Sequence, residues 1–210
     1  DHHANFVTWH QIVEKSGAKL HVLPIDDSWL INTETLLKQL NPNTKLVALN
    51  FASNVTGTQQ PVMQLIQLIR DKSSAFILLD AAQAISHVKI DLAELDVDFI
   101  AFSAHKIYGP TGLGVLSGKL SSLNLLQPLQ YGGKMISKVS KEQITFSALP
   151  YRLEAGTPNI SAVIGFNAVL AWLSQWDIAE MESSAVHLAE ITRQRLSQYE
   201  KCKLFNSPQP

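Results

Sequence analysis

The stretch AFILLDAAQ (75–83) decides how the chain is read. Its apolar run has no polar interruption, it ends on the carboxylate of Asp80, and small residues follow. Two other runs share that character: KLVALNF (45–51) before it and DFIAFS (98–103) after it. Strands buried on both faces read as near-continuous apolar runs rather than as alternation. Between the first two runs, Pro61 suits the first turn of a helix that continues through Arg70. Strand, helix and strand at this spacing predict an α/β fold, a mainly parallel sheet with helices on both faces. Upstream, FVTWHQIV (6–13) has helical spacing and KLHVLPI (19–25) reads as a short strand. Asn32 and Thr33 are N-cap residues for ETLLKQL (34–40). Downstream, SAVIGFNAVLAWLSQW (161–176) and the stretch from Ile178 to about Tyr199 are helical in pattern. The expected division is a large domain over 1–177 and the beginning of a smaller C-terminal domain over 178–210.

Composition narrows the function classes. The chain has 210 residues, 46% hydrophobic and 17% charged, against roughly 25% charged in an average soluble chain. So few charges mean that a large core or a partner subunit covers much of the surface. The net charge of -1, with neither sign in a long run, argues against nucleic-acid binding and against a membrane surface. No apolar run approaches the roughly 18 residues of a membrane span. The single cysteine, Cys202, excludes a disulfide within the chain and favours a reducing, cytoplasmic setting. The chain starts DHHANF, with no methionine and no signal or transit pattern, and stops at FNSPQP. Both ends read as cut from something longer.

In open α/β sheets, ligands sit at the carboxyl ends of the strands. The first run leads into Ala52-Ser53-Asn54, the second into Asp80-Ala81-Ala82-Gln83, the third into Ser103-Ala104-His105-Lys106. Six of the ten glycines fall between Gly109 and Gly133, where a bound molecule demands close backbone approach. Two phosphate motifs fail. For a Walker A loop, Leu113 stands where the first glycine belongs and Leu120 follows Gly118-Lys119. For a dinucleotide fingerprint, Ser117 stands where the third glycine belongs after Gly112-Leu113-Gly114, and GVLSG reads as a strand. No paired His or Cys spacing suggests a zinc site, so no metal is expected.

A pyridoxal 5'-phosphate site fits better. That cofactor needs a lysine to hold its aldehyde, a carboxylate against its pyridinium nitrogen, small donors for its phosphate and a flat group on its ring. Lys106 lies 26 positions after Asp80, about one βαβ unit, so two strand ends can face one pocket. Ser103 and His105 flank the lysine as phosphate donors, and Gln83 lies within reach of the ring hydroxyl. An aspartate or lysine after a strand is more commonly a cap or a solvated side chain. His21, His87 and His187 are read as surface or satisfied residues without a role.

At these residues the chain resembles the class V aminotransferases, closest to the cysteine desulfurases of the SufS/CsdA group. The resemblance rests on DAAQAISH (80–87), FSAHKIYGPTGLGVL (102–116), DHHAN (1–5), SNVTG (53–57), GGKMISKVS (132–140) and RLEAGTPNI (152–160). It covers nearly the whole chain in order, and the GGKM block is more similar to the CsdA branch. The resemblance implies fold type I of the pyridoxal-phosphate enzymes. It makes Lys106 the Schiff-base lysine and proton carrier, Asp80 the pyridinium partner and Gln83 the donor to the ring hydroxyl. Ser103 and His105 bind phosphate, and His2 stacks on the ring and handles protons. Ala82 packs on the opposite face, Asn54 sits at the cofactor and substrate edge, and Thr157 reaches the phosphate of a neighbouring subunit.

The implied activity is conversion of L-cysteine or cysteine sulfinate to alanine. Sulfur passes as a persulfide to a SufE/CsdE-like acceptor protein in iron–sulfur cluster assembly, and the enzyme is a homodimer. Asp1 departs mildly from the glutamate usual there. The family's nucleophilic cysteine and substrate arginine are expected beyond Pro210. Cys202, in EKCKLF after a helix, is not the nucleophile, and the fragment alone is expected to be inactive. Other readings are a different class V enzyme, such as an aminotransferase or kynureninase-like hydrolase, and a non-catalytic interaction module on the same fold.

Overall fold

The three apolar runs form three adjacent strands of a four-stranded sheet in the computed structural model, which describes residues 2–205; Asp1 and residues 206–210 lie outside them. The strands are β1 (Leu46–Asn50), β2 (Phe76–Asp80), β3 (Phe99–Ser103) and β4 (Gly114–Gly118), in the order β1-β2-β3-β4. The first three are parallel, and β4 returns antiparallel to β3 and leads into the one-turn helix α4 (Leu120–Leu123). The register aligns Asn50 with Asp80, and Asp80 with Ala101.

One face of the sheet carries Val47, Leu49, Ile77, Leu79 and Ile100, all buried. Against it lies α3 (Val62–Lys72), which buries Val62, Leu65, Ile66 and Ile69. That spacing is the apolar stripe of an amphipathic helix. Pro61 stands one place earlier than the first turn, at the N-cap, and the helix runs past Arg70 to Lys72. Leu36 from α2 (Thr33–Gln39) joins the same core, and Asn32 caps that helix by accepting from the Thr35 N–H at 2.8 Å. Beside β3 and β4, α5 (Ile160–Leu173) packs Phe166 and Leu173 against Ala104 and Ile107. The helix is apolar all round, so Ile160, Val163, Ile164 and Leu170 stay exposed.

Other parts attach more lightly. The 6–13 stretch forms α1 (Val7–Ser16), which ends where Gly17 turns left-handed at φ 70°. α6 (Ile178–Leu196) starts at an Asp177 cap and buries no residue. It is tied to the loop after β2 by the His87 Nδ1–Glu182 Oε2 pair at 2.8 Å. β5 (Ile136–Val139) and β6 (Ile144–Phe146) form a hairpin that does not join the main sheet. Among the described residues no helix is long and apolar enough to cross a membrane.

KLHVLPI (19–25) is not a strand here. Only Ile25 makes a bridge, antiparallel to Ile31. A strand needs a neighbour for its backbone groups, and a wide trough separates this segment from the nearest edge, that of β1.

The amino end of the sheet is closed by charge. Asp98, just before β3, accepts from Arg70 Nη2 at 2.7 Å, from the Ile77 N–H at 2.8 Å and from Ser122 Oγ at 2.8 Å. Burial pushes its carboxyl up, but these hydrogen bonds and the Arg70 charge outweigh that and hold it below the ordinary range. Asp96 is also lowered, chiefly by its hydrogen bond from Lys119. A carboxyl held low in the folded state stabilises the fold above its unfolded pKa of about 3.9, and that contribution disappears as pH falls through the folded value. Wild-type stability is therefore expected to erode below about pH 4 in acid unfolding followed by circular dichroism. Asp98→Ala is expected to cost about 1–3 kcal/mol at pH 7, because it takes the acceptor from the buried Ile77 N–H and Ser122 hydroxyl, while Arg70 keeps its pair with Asp96. A urea midpoint equal to wild type would remove the network from this role.

Candidate active site

Parallel pairing brings three strand ends to one edge. β2 ends on Asp80, whose Oδ1 accepts from the Ala82 N–H at 3.0 Å, an Asx-type turn that leaves Oδ2 without a partner among the described residues. Because Asp80 aligns with Ala101, Ser103 two positions on lies on the same sheet face as Asp80. Gln83 then opens a 3-10 turn at Ala84–Ser86, anchored by the fully buried Ala81 and Ala84. Ser103 leads into a second 3-10 turn, Ala104–Ile107, and the two turns lie against each other.

The second turn carries His105 and Lys106, and its local chemistry explains their presentation. Ala104 is fully buried and packs with Ile107 on Phe166 of α5. The other side of the turn is left to His105, exposed, and Lys106, half-buried. Tyr108 closes the turn in the left-handed region at φ 61°, an uncommon place for a residue with a side chain. The next N–H, of Gly109, donates to the Ala104 carbonyl at 2.9 Å. A Cβ on Gly109 would stand 2.8 Å from both that carbonyl oxygen and Phe166 Cδ2, so only glycine fits.

The remaining predicted residues are arranged around this edge. Asn54 is exposed in the turn after β1, a turn held by Ser53 Oγ, which accepts from the Val55 and Thr56 N–H groups at 3.2 Å. His2 starts the first turn, its Nδ1 accepting from the Ala4 N–H at 3.1 Å. His3 and Asn5, which follow it, line the same trough as Asn54. Asp80, Gln83, Ser103, His105 and Lys106 do not line that trough. Thr157 is the outlier. It is exposed in a loop whose Gly156 N–H donates to Gly133 O at 3.0 Å, so it is tied to the 132–133 loop and not to a strand end. Sequence reasoning passed over Tyr108 and read Gly109 only as one of the glycines beside a bound molecule, although the Tyr-Gly-Pro triplet one residue beyond Lys106 is a turn signal.

Among the described residues, the side chains of Gln83, Ser103, His105 and Lys106 have no hydrogen-bond or ion-pair partner. One edge of the sheet thus offers an amine, a carboxylate oxygen, a hydroxyl, an imidazole and an amide, all unpartnered. This donor set fits pyridoxal phosphate, which presents an aldehyde, a ring N–H, a ring hydroxyl and a phosphate. Among the described residues no group of His, Cys, Asp and Glu could hold a metal ion.

Residues 1–210 match the family described as Aminotransferase class-V. A protein of Haemophilus influenzae named "Probable cysteine desulfurase" is 66% identical over 209 residues, which are 100% of this chain and 48% of that protein. A csd-like protein of the same organism is 65% identical over 192 residues, 91% of this chain and 81% of that shorter protein. The crystal structure of the cysteine desulfurase CsdA from Escherichia coli superposes with a TM-score of 0.91 at 39% identity, over 95% of this chain and 50% of that one. The chain spans about half the length of the first and third of these.

The Lys106 turn is the feature most sensitive to substitution. Gly109→Ala is expected to cost roughly 1–3 kcal/mol, the usual range for overpacking, and to reduce the reaction of Lys106 with an added aldehyde. A thermal midpoint and a Lys106 reactivity both equal to wild type would show that the turn does not depend on this contact.

Proposed function

The chain belongs to the class V aminotransferase family, and from that premise we propose that it forms the cofactor-binding part of a pyridoxal-phosphate-dependent cysteine desulfurase. One observation carries the reading: Asp80 and the Lys106 turn end adjacent parallel strands with their polar groups unpartnered. The names of the relatives, cysteine desulfurase in two organisms, support the choice of reaction within the family.

When bound, pyridoxal phosphate supplies an electron sink for bonds at the substrate α-carbon. Lys106 Nζ is the amine that would hold the group covalently, and once displaced by substrate it can move a proton. The free Asp80 Oδ2 would accept the ring N–H and keep that nitrogen protonated. Gln83 would donate to the ring hydroxyl, and Ser103 and His105 would donate to the phosphate. His2 would stack on one ring face and Ala82 on the other, with Asn54 at the substrate edge.

The reaction as a whole takes L-cysteine and a protein thiol to alanine and a protein persulfide. That thiol is proposed to lie outside residues 1–210. Cys202 is half-buried after α6 and its N–H donates to Tyr199 O at 2.9 Å, in an element that adds no residue to the strand ends. The persulfide sulfur then goes to a SufE/CsdE-like acceptor in the cytoplasm.

The homodimer belongs to the same proposal. The β5–β6 hairpin leaves Val139 and Ile144 exposed, and a lone two-stranded hairpin is marginal in water. A second subunit over the 132–157 region would cover it and bring Thr157 to the neighbouring phosphate.

Borohydride reduction after incubation with pyridoxal phosphate is expected to place the label on Lys106, and peptide mapping reads the position. A label confined to Lys119 or Lys134 would sink the site. In the desulfurase-length protein, Asp80→Ala is expected to keep part of the cofactor and lose sulfide release roughly a hundredfold, as when one electrostatic stabiliser is removed. Cys202→Ser is expected to leave sulfide release unchanged, and loss of activity there would return the nucleophile to this chain.

A further inference from the structure

The loop that follows Lys106 lies along α5. Phe166 packs against Ala104 and Ile107. The backbone of Gly165 comes close to Pro110, and that of Gly112 to Asn159, the cap of α5. A Cβ built on either glycine would lie 3.8 Å from the neighbouring side chain. Tyr108 adds a ring contact: it meets Trp172 edge-on, with centroids 6.0 Å apart and planes at 75°. Trp176, one turn further along the chain, backs Trp172 at 5.6 Å.

Tyr108 is the strained residue of this loop. Its backbone is left-handed at φ 61°. A residue that ends a helical turn in this region is usually Gly, sometimes Asn, because a Cβ is disfavoured there. Such a conformation persists only where its surroundings over-determine it. The turn depends on it, since the Tyr108 and Gly109 N–H groups both donate to the Ala104 carbonyl and so close the turn that presents His105 and Lys106. The side chain contributes through its ring, because the phenol hydroxyl has no partner among the described residues. Both rings are exposed, so the contact does not fill a core. A T-shaped aromatic pair is favourable beyond the area it buries, and this one acts on a strained residue two positions after the lysine.

We propose that Trp172 is a positioning residue for Lys106. Its ring holds Tyr108 in the left-handed conformation, Tyr108 keeps the turn closed, and the closed turn keeps the Lys106 amine at the strand ends. The inference rests on the reading of Lys106 as the amine that holds pyridoxal phosphate.

The rate at which Lys106 takes up pyridoxal phosphate tests it, in the desulfurase-length protein freed of cofactor. Borohydride trapping at successive times, followed by peptide mapping, reads Lys106 against Lys119 and Lys134 in the same sample. Trp172→Ala is expected to slow Lys106 labelling roughly three- to tenfold, the range that one aromatic pair supports, and to leave Lys119 and Lys134 unchanged. Trp172→Phe keeps an aromatic partner and is expected to stay within about twofold of wild type. Adding Tyr108→Gly to Trp172→Ala is expected to recover most of the loss, because glycine adopts the left-handed region without help. Unchanged Lys106 labelling in Trp172→Ala overturns the inference. So does an equal slowing of all three lysines, which would make Trp172 a residue of the whole fold. A double variant no faster than Trp172→Ala alone overturns it too. If Trp172→Ala does not fold, Tyr108→Ala, which leaves α5 whole, decides: selective slowing at Lys106 supports the inference, and a wild-type rate overturns it. No label on Lys106 in the wild type would overturn the reading of the site itself, and this inference with it.

Discussion

Everything at the proposed site depends on the parallel register of β1, β2 and β3. Asn50, Asp80 and Ala101 stand in line because each strand runs the same way and ends at the same edge. A parallel pair cannot be joined by a tight turn, so a crossover must return the chain to the start of the next strand. α3 is the crossover between β1 and β2, and the packing of Ile66 and Ile69 beneath Ile77 and Leu79 holds the register. A slip by one residue would send Asp80 to the wrong face of the sheet.

The two ends of the sheet are treated in opposite ways. At the amino end, Asp98, Arg70, Asp96, Lys119 and Ser122 satisfy one another, and the lowered carboxyls report that satisfaction. At the carboxyl end, the side chains of Gln83, Ser103, His105 and Lys106 and one Asp80 oxygen have no partner among the described residues. Stability is thus concentrated where no ligand is expected, and polar groups stand ready where ligands of α/β sheets bind. The left-handed Tyr108 follows the same division, since local strain tends to gather beside functional groups.

The low charge fraction has a structural counterpart. α5 is apolar all round and leaves Val163, Ile164 and Trp172 exposed, the β5–β6 hairpin stands apart, and the outer edge of β1 is unpaired. These surfaces are of different kinds. A helix flank and a hairpin suit a subunit contact, whereas the strand edge lies within the trough.

The sequence by itself determined the elements whose signal is local. The apolar runs at 45–51, 75–80 and 98–103 are the strands, the stripe through Leu65 and Ile69 is a helix, and Asn32 is a cap, because periodicity and capping act over a few residues. It also determined which residues follow the strands, and so the candidate set from Asp80 to Lys106. Only the tertiary structure decided what each of them meets. The strand-like run at 19–25 is paired only at Ile25, with Ile31, since pairing is a property of two segments and a trough separates the run from β1. Thr157 lies apart from the strand ends, tied through Gly156 to Gly133, which no spacing along the chain could show. Gly109 is demanded by a carbonyl and by a phenylalanine 57 positions away on α5, a contact that exists only once the helix has packed.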